Sequence, residues 1–292
     1  MKQQDCLRRF LFEELGVRGE WVRLEQSWRQ ARQHQVLVNH AVESQLGQAL
    51  AAVVLLSATI KFKGAMIMQI QGGGELKALV AQATHEGKIR GLVRSEDQVS
   101  GNDLLAMLGE GGRLVLTVES ENAEPYQGIV GIAERSLAAV LKTYFTQSEQ
   151  LDTRLWLFAD TEYAAGLFLQ ELPTDNQDKA DWQRIEMLAD TITEAEILTL
   201  DCEQLLHRLF HEDKVRLYDP QPIEFKCNCS RQKIGGTLAA LGRSELESVL
   251  QERETIEVDC QFCGAQYYFD RIDVENLLSN PVMNEDESPT RH

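Results

Sequence analysis

Apolar side chains recur at helical spacing through the first sixty residues. The first run predicts a helix that ends at a pair of glycines, and its apolar positions are Leu7, Phe10, Leu11 and Leu15. A second amphipathic segment is predicted to begin over 21–31. The Ala- and Leu-rich run 41–60 predicts a buried helix.

From residue 65 onward, alternating apolar and polar positions separated by glycines predict strands. The predicted strands are 65–71, 88–94, 113–119, 126–132 and 155–159, the fourth being the hairpin partner of the third. Helices are predicted over 76–83 and 137–144. We interpret this order as a weak repeat of strand and helix units. It predicts an α+β protein that begins with a mixed α/β layer domain over 1–172.

A helical linker is predicted over 173–226. It opens on PTDNQDKA, which lacks large apolar residues. Two amphipathic helices follow, and the apolar stripe of the first consists of Trp182, Ile185, Leu188 and Ile192. The second helix, behind an Asp201-x-x-Gln204 variant of a capping box, carries Leu205, Leu206, Leu209 and Phe210. Such short acidic helices are marginal alone, so ordinary packing on a neighbouring surface is expected.

A small C-terminal domain is predicted over 227–292. Its predicted elements are a helix over 236–241, a second helix opened by a Ser244-x-x-Glu247 capping box, strands over 255–259 and 266–270, and a last helix over 274–278. The tail that begins at Asn280 is predicted to be disordered.

Composition excludes several classes of protein. A chain of 292 residues with 43% hydrophobic and 26% charged residues suits about two globular domains. The most apolar stretch, 46–60, is shorter than the ~20 residues of a membrane-spanning helix. Glu13 and Glu14 interrupt the N-terminus before any secretory core. We therefore expect a cytoplasmic protein that does not cross a membrane.

The charge distribution argues against nucleic acid as a partner. The net charge is −17; residues 171–213 hold 12 acids and 3 bases, and residues 227–292 hold 12 acids and 6 bases. These two segments therefore contribute −9 and −6. Such a field repels phosphate backbones and anionic lipid surfaces.

Four of the six cysteines form one Cys-x-Cys and one Cys-x-x-Cys-Gly pair. They are Cys227, Cys229, Cys260 and Cys263. Two thiolate pairs can enclose one tetrahedral zinc ion, and a module of about 70 residues with few large apolar groups needs such a staple. We predict one zinc ion per chain, held by these four side chains.

The spacing leaves the role of the zinc open. A closed site of four cysteines is usually structural. Yet the members of each pair are close enough along the chain to form a disulfide, and zinc-bound thiolates are oxidisable. Both a structural staple and a redox switch are compatible with these residues.

Other candidate motifs are incomplete. The glycines at 72–74 complete neither phosphate-binding pattern and are interpreted as a turn. His207 and His211 lack the His-Glu-x-x-His order and are interpreted as solvated helix positions. Cys6 and Cys202 are interpreted as small packed side chains with no assigned role. Since no nucleophile motif is recognisable, an enzyme is not predicted.

Three stretches of sequence resemble the bacterial 33-kDa redox-regulated heat-shock chaperone family. They are Phe225-Lys226-Cys227-x-Cys229-Ser230 with Cys260-x-x-Cys263-Gly264, then Tyr126-Gln127-Gly128, and Tyr144-Phe145-x-Gln147-Ser148-Glu149-Gln150. The resemblance covers nearly the whole chain, and the cysteine spacing in this context is specific.

The resemblance implies an ATP-independent holdase that is inactive when reduced and zinc-bound. Oxidation would join Cys227 to Cys229 and Cys260 to Cys263, release zinc, and unfold the C-terminal domain and the linker. Apolar surface would then be exposed to unfolding client proteins. The resemblance also implies a compact α/β N-terminal domain, and a monomer that dimerises when oxidised.

The free energy of zinc binding is large enough for loss of zinc to unfold the C-terminal domain. Zinc supplies roughly 10 to 16 kcal/mol to small metal-dependent folds, which exceeds the typical net stability of a domain. We expect the folded zinc domain to mask the apolar stripe of the first linker helix, and loss of zinc to expose it. The candidate client-binding residues are therefore Trp182, Ile185, Leu188 and Ile192.

Two other classes of function compete with the chaperone. The Cys260-x-x-Cys263 pair could belong to a thiol-disulfide oxidoreductase, although a strand rather than a helix is predicted after Cys263. The C-terminal domain could also be a zinc ribbon that binds nucleic acid, which its charge of −6 opposes.

Overall fold

The computed structural model describes residues 5–121, 123–173 and 179–279. The chain divides into two compact units, and the boundary lies between Lys226 and Cys227. The disorder predicted from Asn280 onward, and most of the PTDNQDKA boundary, lie outside these residues.

The N-terminal segment forms a strand pair, so the helix predicted there is wrong. β1 (Cys6–Phe12) and β2 (Val17–Leu24) pair antiparallel. Leu7 packs in one apolar core, while Phe10 and Phe12 pack in another on the opposite face. Because β1 has buried side chains on both faces, its apolar residues do not alternate strictly, and their spacing in the sequence is similar to that of a helix. The amphipathic segment predicted over 21–31 is divided between β2 and α1 (Gln26–Arg32).

The predicted buried helix is confirmed as α2 (His40–Thr59), which begins at an Asn39 cap. It packs against strands of both large sheets and is apolar on nearly every side. By length and composition alone it could cross a membrane, but 72% of its most apolar window is buried inside the protein. It is therefore the core helix of the first unit.

The second sheet has the order β12-β5-β4-β3-β6-β7, in which β12 is the two-residue strand Glu224–Phe225. Its main strands are β3 (Gly64–Gln71), β4 (Leu76–Thr84), β5 (Lys88–Ser95), β6 (Arg113–Ser120) and β7 (Ala123–Gly131), with α3 (Leu104–Leu108) before β6. The helix predicted over 76–83 is strand β4, because hydrogen bonding to β3 and β5 overrides the helical propensity of its alanines. The hairpin predicted between β6 and β7 is confirmed.

The first sheet has the order β10-β1-β2-β9-β8, in which β10 is Val215–Leu217, and β11 (Gln221–Pro222) also pairs with β1. It includes β8 (Thr153–Ala159) and β9 (Ala164–Glu171). The helix predicted over 137–144, which precedes β8, is confirmed as α4 (Leu137–Ser148). The sequence pattern missed β9, because it is buried on both faces and shows no alternation. Consecutive strands of both sheets join as antiparallel hairpins, so the interpretation as a repeat of strand and helix units is wrong.

Three helices cover the outer face of the first sheet. They are α5 (Lys179–Ala189), α6 (Glu194–Thr199) and α7 (Cys202–Phe210). The capping box predicted from Asp201 and Gln204 is confirmed at the start of α7. The chain then returns to the two sheets through short strands, which are β10 (Val215–Leu217), β11 (Gln221–Pro222) and β12 (Glu224–Phe225).

The second unit consists of a two-stranded hairpin and three helices. Its elements are α8 (Arg231–Leu241), α9 (Arg243–Glu252), β13 (Thr255–Asp259), β14 (Gln266–Asp270) and α10 (Arg271–Ser279). Both predicted strands and all three helices are confirmed, although α8 starts earlier than predicted. The Ser244 capping box is wrong: α9 begins at Arg243, and the Glu247 carboxylate accepts from the Arg243 guanidinium.

Candidate metal centre

Two loops of the second unit bring the four clustered cysteines together. Cys227 and Cys229 lie in the loop before α8, which begins where the Ser230 hydroxyl accepts a hydrogen bond from a backbone N–H. Cys260 and Cys263 lie in the turn that joins β13 to β14. The capped start of α8 and the hairpin turn thus bring two cysteine pairs together that are about thirty positions apart in the sequence.

The turn between β13 and β14 is a tight knuckle around Cys260. The backbone carbonyl of Cys260 accepts from the N–H of Gly264 at 2.7 Å and from that of Cys263 at 3.3 Å. The N–H of Cys260 donates to Ala265 across the turn at 2.8 Å. Gly264 has a φ of +67°, which favours glycine and explains why this residue follows the second cysteine.

The four sulfur atoms have the spacing of a tetrahedral metal site. They all lie within 4.8 Å of one another. The Sγ atoms of Cys227 and Cys260 are 3.7 Å apart, and those of Cys229 and Cys263 are 3.5 Å apart. Tetrahedral Zn–S bonds of about 2.3 Å require S···S edges of about 3.8 Å. This group of cysteines could therefore hold one metal ion with little rearrangement.

The pKa values of three of these thiols are shifted from the usual thiol range. Burial raises the pKa of Cys260 and of Cys263 above the usual thiol range. For Cys227, burial is outweighed by hydrogen bonds from the Cys229 backbone and from the neighbouring sulfhydryls, which lower its pKa to about 7. Four thiolates at this spacing repel one another, so a divalent cation is needed for all four to ionise together.

Two side chains near the cluster support it, and the sequence pattern did not predict them. The hydroxyl of Tyr267 donates to Cys229 Sγ at 3.1 Å. Arg231 donates to the backbone carbonyl of Tyr268 at 2.6 Å and lies 4.4 Å above the ring of Phe269. Alternation along β14 could have indicated Tyr267, because it lies on the same strand face as the buried Phe269.

The predicted client-binding stripe is packed within the first unit. Ile185 is fully buried and Trp182 and Ile192 nearly so, in one cluster with side chains of β1, β2 and β9. Leu188 is partly buried against the same cluster. The expectation that the cysteine domain masks this stripe is therefore wrong: the sheet face beneath α5 covers it.

The remaining candidate residues have the roles expected of ordinary structure. Cys6 and Cys202 are buried in the same cluster as the helical stripe, and burial raises the pKa of both thiols. His207 and His211 are exposed on and just beyond α7. The glycines at 72–74 form the turn between two strands.

The structure also bears on the oxidoreductase alternative. In the arrangement typical of thioredoxin-like enzymes, a Cys-x-x-Cys pair stands at the start of a helix after a strand. Here strand β14 follows Cys263, as the sequence predicts. The helix N-terminal dipole that would activate an attacking thiolate is therefore not provided by the segment after this pair.

Comparison with known proteins agrees with the geometry. The family model described as Hsp33 protein matches residues 5–270. The 33 kDa chaperonin of Nitrosococcus oceani is 54% identical over 286 residues, which are 97% of each chain. That of Methylobacillus flagellatus is 41% identical over 287 residues, again 97% of each chain.

A solved structure shows the same fold. The crystal structure of the 33 kDa chaperonin from Thermotoga maritima matches with a TM-score of 0.80 at 24% identity, covering 94% of this chain and 98% of that one. The sequence relatives span almost the full length of this chain and support a chaperone function. With its matching fold, its cysteine cluster and a family model that extends from the first strand to the last, the chain belongs to the Hsp33 protein family.

Proposed function

We propose that this chain is a redox-regulated, ATP-independent holdase whose switch is one zinc ion held by Cys227, Cys229, Cys260 and Cys263. The observation that carries the proposal is the convergence of four sulfurs within 4.8 Å in a unit with a small apolar core. Zinc, when bound, keeps the thiolates deprotonated and ties the loop before α8 to the β13–β14 hairpin.

The proposed oxidation joins Cys227 to Cys229 and Cys260 to Cys263. In each pair, the two thiolates give two electrons to one peroxide molecule; an S–S bond forms, the O–O bond breaks, and two protons complete two water molecules. The family resemblance supports this pairing, and sulfur separations within 4.8 Å permit it. Because disulfides are poor metal ligands, oxidation removes the affinity of the site for zinc.

Unfolding of the second unit would then spread back along the chain. Cys227 follows the two-residue strand β12, and β11 has two residues as well. Such short strands at a sheet edge have few hydrogen bonds to lose and can separate at low free-energy cost. Beyond them lie the helices of 173–226, which we propose as the linker released on activation. We propose that unfolding clients bind the apolar stripe formed by Trp182, Ile185 and Leu188 of α5 and by Ile192, which follows this helix.

The remaining features of the proposal rest on the family resemblance. The oxidised form is proposed to be a homodimer and the reduced form a monomer, in the cytoplasm. Disulfide formation and zinc release are proposed to protect the cell during combined oxidative and heat stress. No nucleotide, nucleic acid or membrane takes part in the proposed cycle, and no catalytic role is assigned.

A light-scattering experiment tests the proposal. A client enzyme is unfolded by heat, without nucleotide, beside the reduced protein, the peroxide-oxidised protein, and the oxidised protein after treatment with a thiol reductant. The oxidised form should suppress aggregation strongly and the other two weakly. Equal suppression by all three would leave a holdase without a switch, and suppression by none would reject the holdase.

Metal analysis of the same samples tests the zinc site. The reduced protein should carry one zinc ion per chain and lose it on peroxide treatment with warming. A reduced protein without zinc, or one that retains zinc after all four thiols are oxidised, would contradict the proposed switch.

A further inference from the structure

The contacts of the cysteine cluster are not equivalent. Cys260 Sγ accepts hydrogen bonds from the backbone N–H groups of Phe262 and Cys263, and Cys263 Sγ accepts one from the backbone of Ala265. Cys229 Sγ accepts a hydrogen bond from a side chain, the hydroxyl of Tyr267, at 3.1 Å. A backbone donor is present whatever the residue type, whereas this bond depends on one particular side chain.

The bond to Cys229 also joins separate parts of the second unit. Tyr267 belongs to β14, three residues beyond Gly264 of the knuckle, while Cys229 belongs to the loop before α8. Pairing of β14 with β13 holds the tyrosine, with Tyr267 opposite Val258. The hydroxyl is therefore presented to the sulfur by a fixed strand and needs little ordering to donate.

A hydrogen bond to a thiolate changes its chemistry as well as its position. It draws electron density from the sulfur and so lowers its nucleophilicity toward the electrophilic oxygen of a peroxide. It also restrains Cys229 Sγ, which must move from its position within 4.8 Å of Cys227 Sγ to S–S bonding distance. Both effects slow oxidation at this cysteine and leave the metal-binding geometry in place.

We propose that Tyr267 is a positioning residue that holds Cys229 and sets how much oxidant is needed to oxidise it. The inference deepens the proposed redox switch and rests on it. The step itself is the one described above: the Cys229 and Cys227 thiolates lose two electrons to one peroxide molecule, which becomes two water molecules with two protons. Tyr267 takes no part in the electron transfer.

The neighbouring tyrosine offers a matched control. Tyr268 is the next residue of β14 and faces the other way, so its hydroxyl can donate to either Glu257 Oε1 at 3.1 Å or Gln266 Oε1 at 3.0 Å. Tyr267→Phe and Tyr268→Phe each remove one hydroxyl from adjacent positions and keep both rings. The first removes a hydrogen bond to a cluster sulfur, and the second does not.

The experiment follows each cysteine pair separately. Trypsin cleavage after Lys226 and Arg231 isolates Cys227 and Cys229 on one peptide, and cleavage after Arg253 and Arg271 isolates the other pair. The zinc-loaded full-length protein and both variants are treated with hydrogen peroxide, alkylated at intervals, digested and analysed by mass spectrometry. Thermal stability of each reduced protein is measured in parallel.

In Tyr267→Phe, free thiol should disappear from the 227–231 peptide about three- to tenfold faster than in the unsubstituted protein. A three- to tenfold change in rate corresponds to about 0.6 to 1.4 kcal/mol of activation free energy, which is the size of one net hydrogen bond. Tyr268→Phe should behave as the unsubstituted protein does. Peroxide should also release zinc faster from Tyr267→Phe.

Two outcomes would overturn the role of Tyr267. One is equal rates in both variants and the unsubstituted protein. The other is equal acceleration of both peptides together with a lower thermal stability of the reduced protein, which would show that the hydroxyl only stabilises the fold. Failure of the proposed switch would look different from failure of the role of Tyr267. In that case the unsubstituted protein itself would keep its zinc or remain inactive after oxidation.

Discussion

The two units of this chain are stabilised in different ways. The first buries two large apolar clusters, one between its sheets around α2 and one beneath α5 to α7. The described part of the second buries a single small cluster, formed by Leu238, Leu246, Leu250, Ile256, Phe269 and Val274. Beside that cluster lie four cysteines whose sulfurs are within 4.8 Å of one another.

This difference is what a protein needs if oxidation is to unfold one of its units and leave the other folded. A unit that depends on apolar burial responds little to oxidants, since its stability is distributed over many side chains. A small unit whose stability depends on a metal can lose its fold through the chemistry of a few sulfur atoms. One chain can therefore contain a persistent scaffold and a conditional domain.

The largest expected effect comes from breaking the metal cluster. Cys260→Ser removes one proposed ligand, and the folded second unit should lose most of the roughly 10 to 16 kcal/mol that zinc provides to small folds. Hydrogen exchange should become fast over 227–279 and remain slow over α2 and β3 to β6. Cys6→Ala, which removes a buried cysteine outside the cluster, should keep the second unit protected. Slow exchange over β13 and β14 in Cys260→Ser would contradict metal dependence.

The next effect concerns the helices that cover the first sheet. Ile185 of α5 is fully buried against the first sheet, so Ile185→Ala should weaken helix docking by about 2 to 4 kcal/mol. Hydrogen exchange over 179–210 should accelerate, and less oxidant should be needed to bring exchange in this segment to its maximum. Met187→Ala is the control, because Met187 lies on the same helix and is 65% exposed. An unchanged oxidant requirement for this exchange in Ile185→Ala would reject α5 docking as the restraint on release of the helices.

A buried carboxyl should make the stability of the first unit depend on pH. Glu20 is 2% exposed, and burial raises its pKa from 4.5 to about 7 against the opposing charges of Arg18 and Arg9. The folded state therefore keeps this proton between pH 4.5 and about 7, whereas the unfolded state releases it. The contribution of Glu20 to stability is complete below pH 4.5 and is lost as pH rises through about 7.

Glu20→Gln should remove this dependence. At pH 8 the variant should be more stable than the unsubstituted protein by up to about 3 kcal/mol, with a much smaller difference at pH 5. Denaturant unfolding followed by tryptophan fluorescence is suited to the measurement, because all four tryptophans lie in the first unit. An equal difference at both pH values would show that the carboxyl does not titrate in this range.

The smallest expected effect concerns the start of α7. The Asp201 carboxylate accepts from the Gln204 backbone N–H at 2.9 Å. Asp201→Ala should destabilise α7 by about 1 kcal/mol, whereas Asp201→Asn keeps a capping oxygen and should cost much less. Hydrogen exchange over 202–210 measures the difference. Equal exchange in the two variants would show that the cap does not limit the opening of α7.

The sequence alone determined the features that depend on local chemistry or on strong periodicity. The spacing of Cys227, Cys229, Cys260 and Cys263 indicated one metal site, because paired thiolates with a glycine turn have few other uses. The run 41–60 indicated a buried helix, since an apolar segment of that length is seldom anything else in a globular domain. The hairpin of β13 and β14 was indicated by alternation on both sides of the knuckle.

Only the tertiary structure decided features whose signal comes from distant residues. β1 and β4 look helical in the sequence, but pairing with strands on both sides made them strands, and β1 also has buried side chains on both faces. The stripe of α5 required a partner, and periodicity cannot say which surface that partner is; the structure shows the first sheet. Likewise, the hydrogen bond from Tyr267 to Cys229 spans 38 positions, so only the folded hairpin could bring the two atoms together.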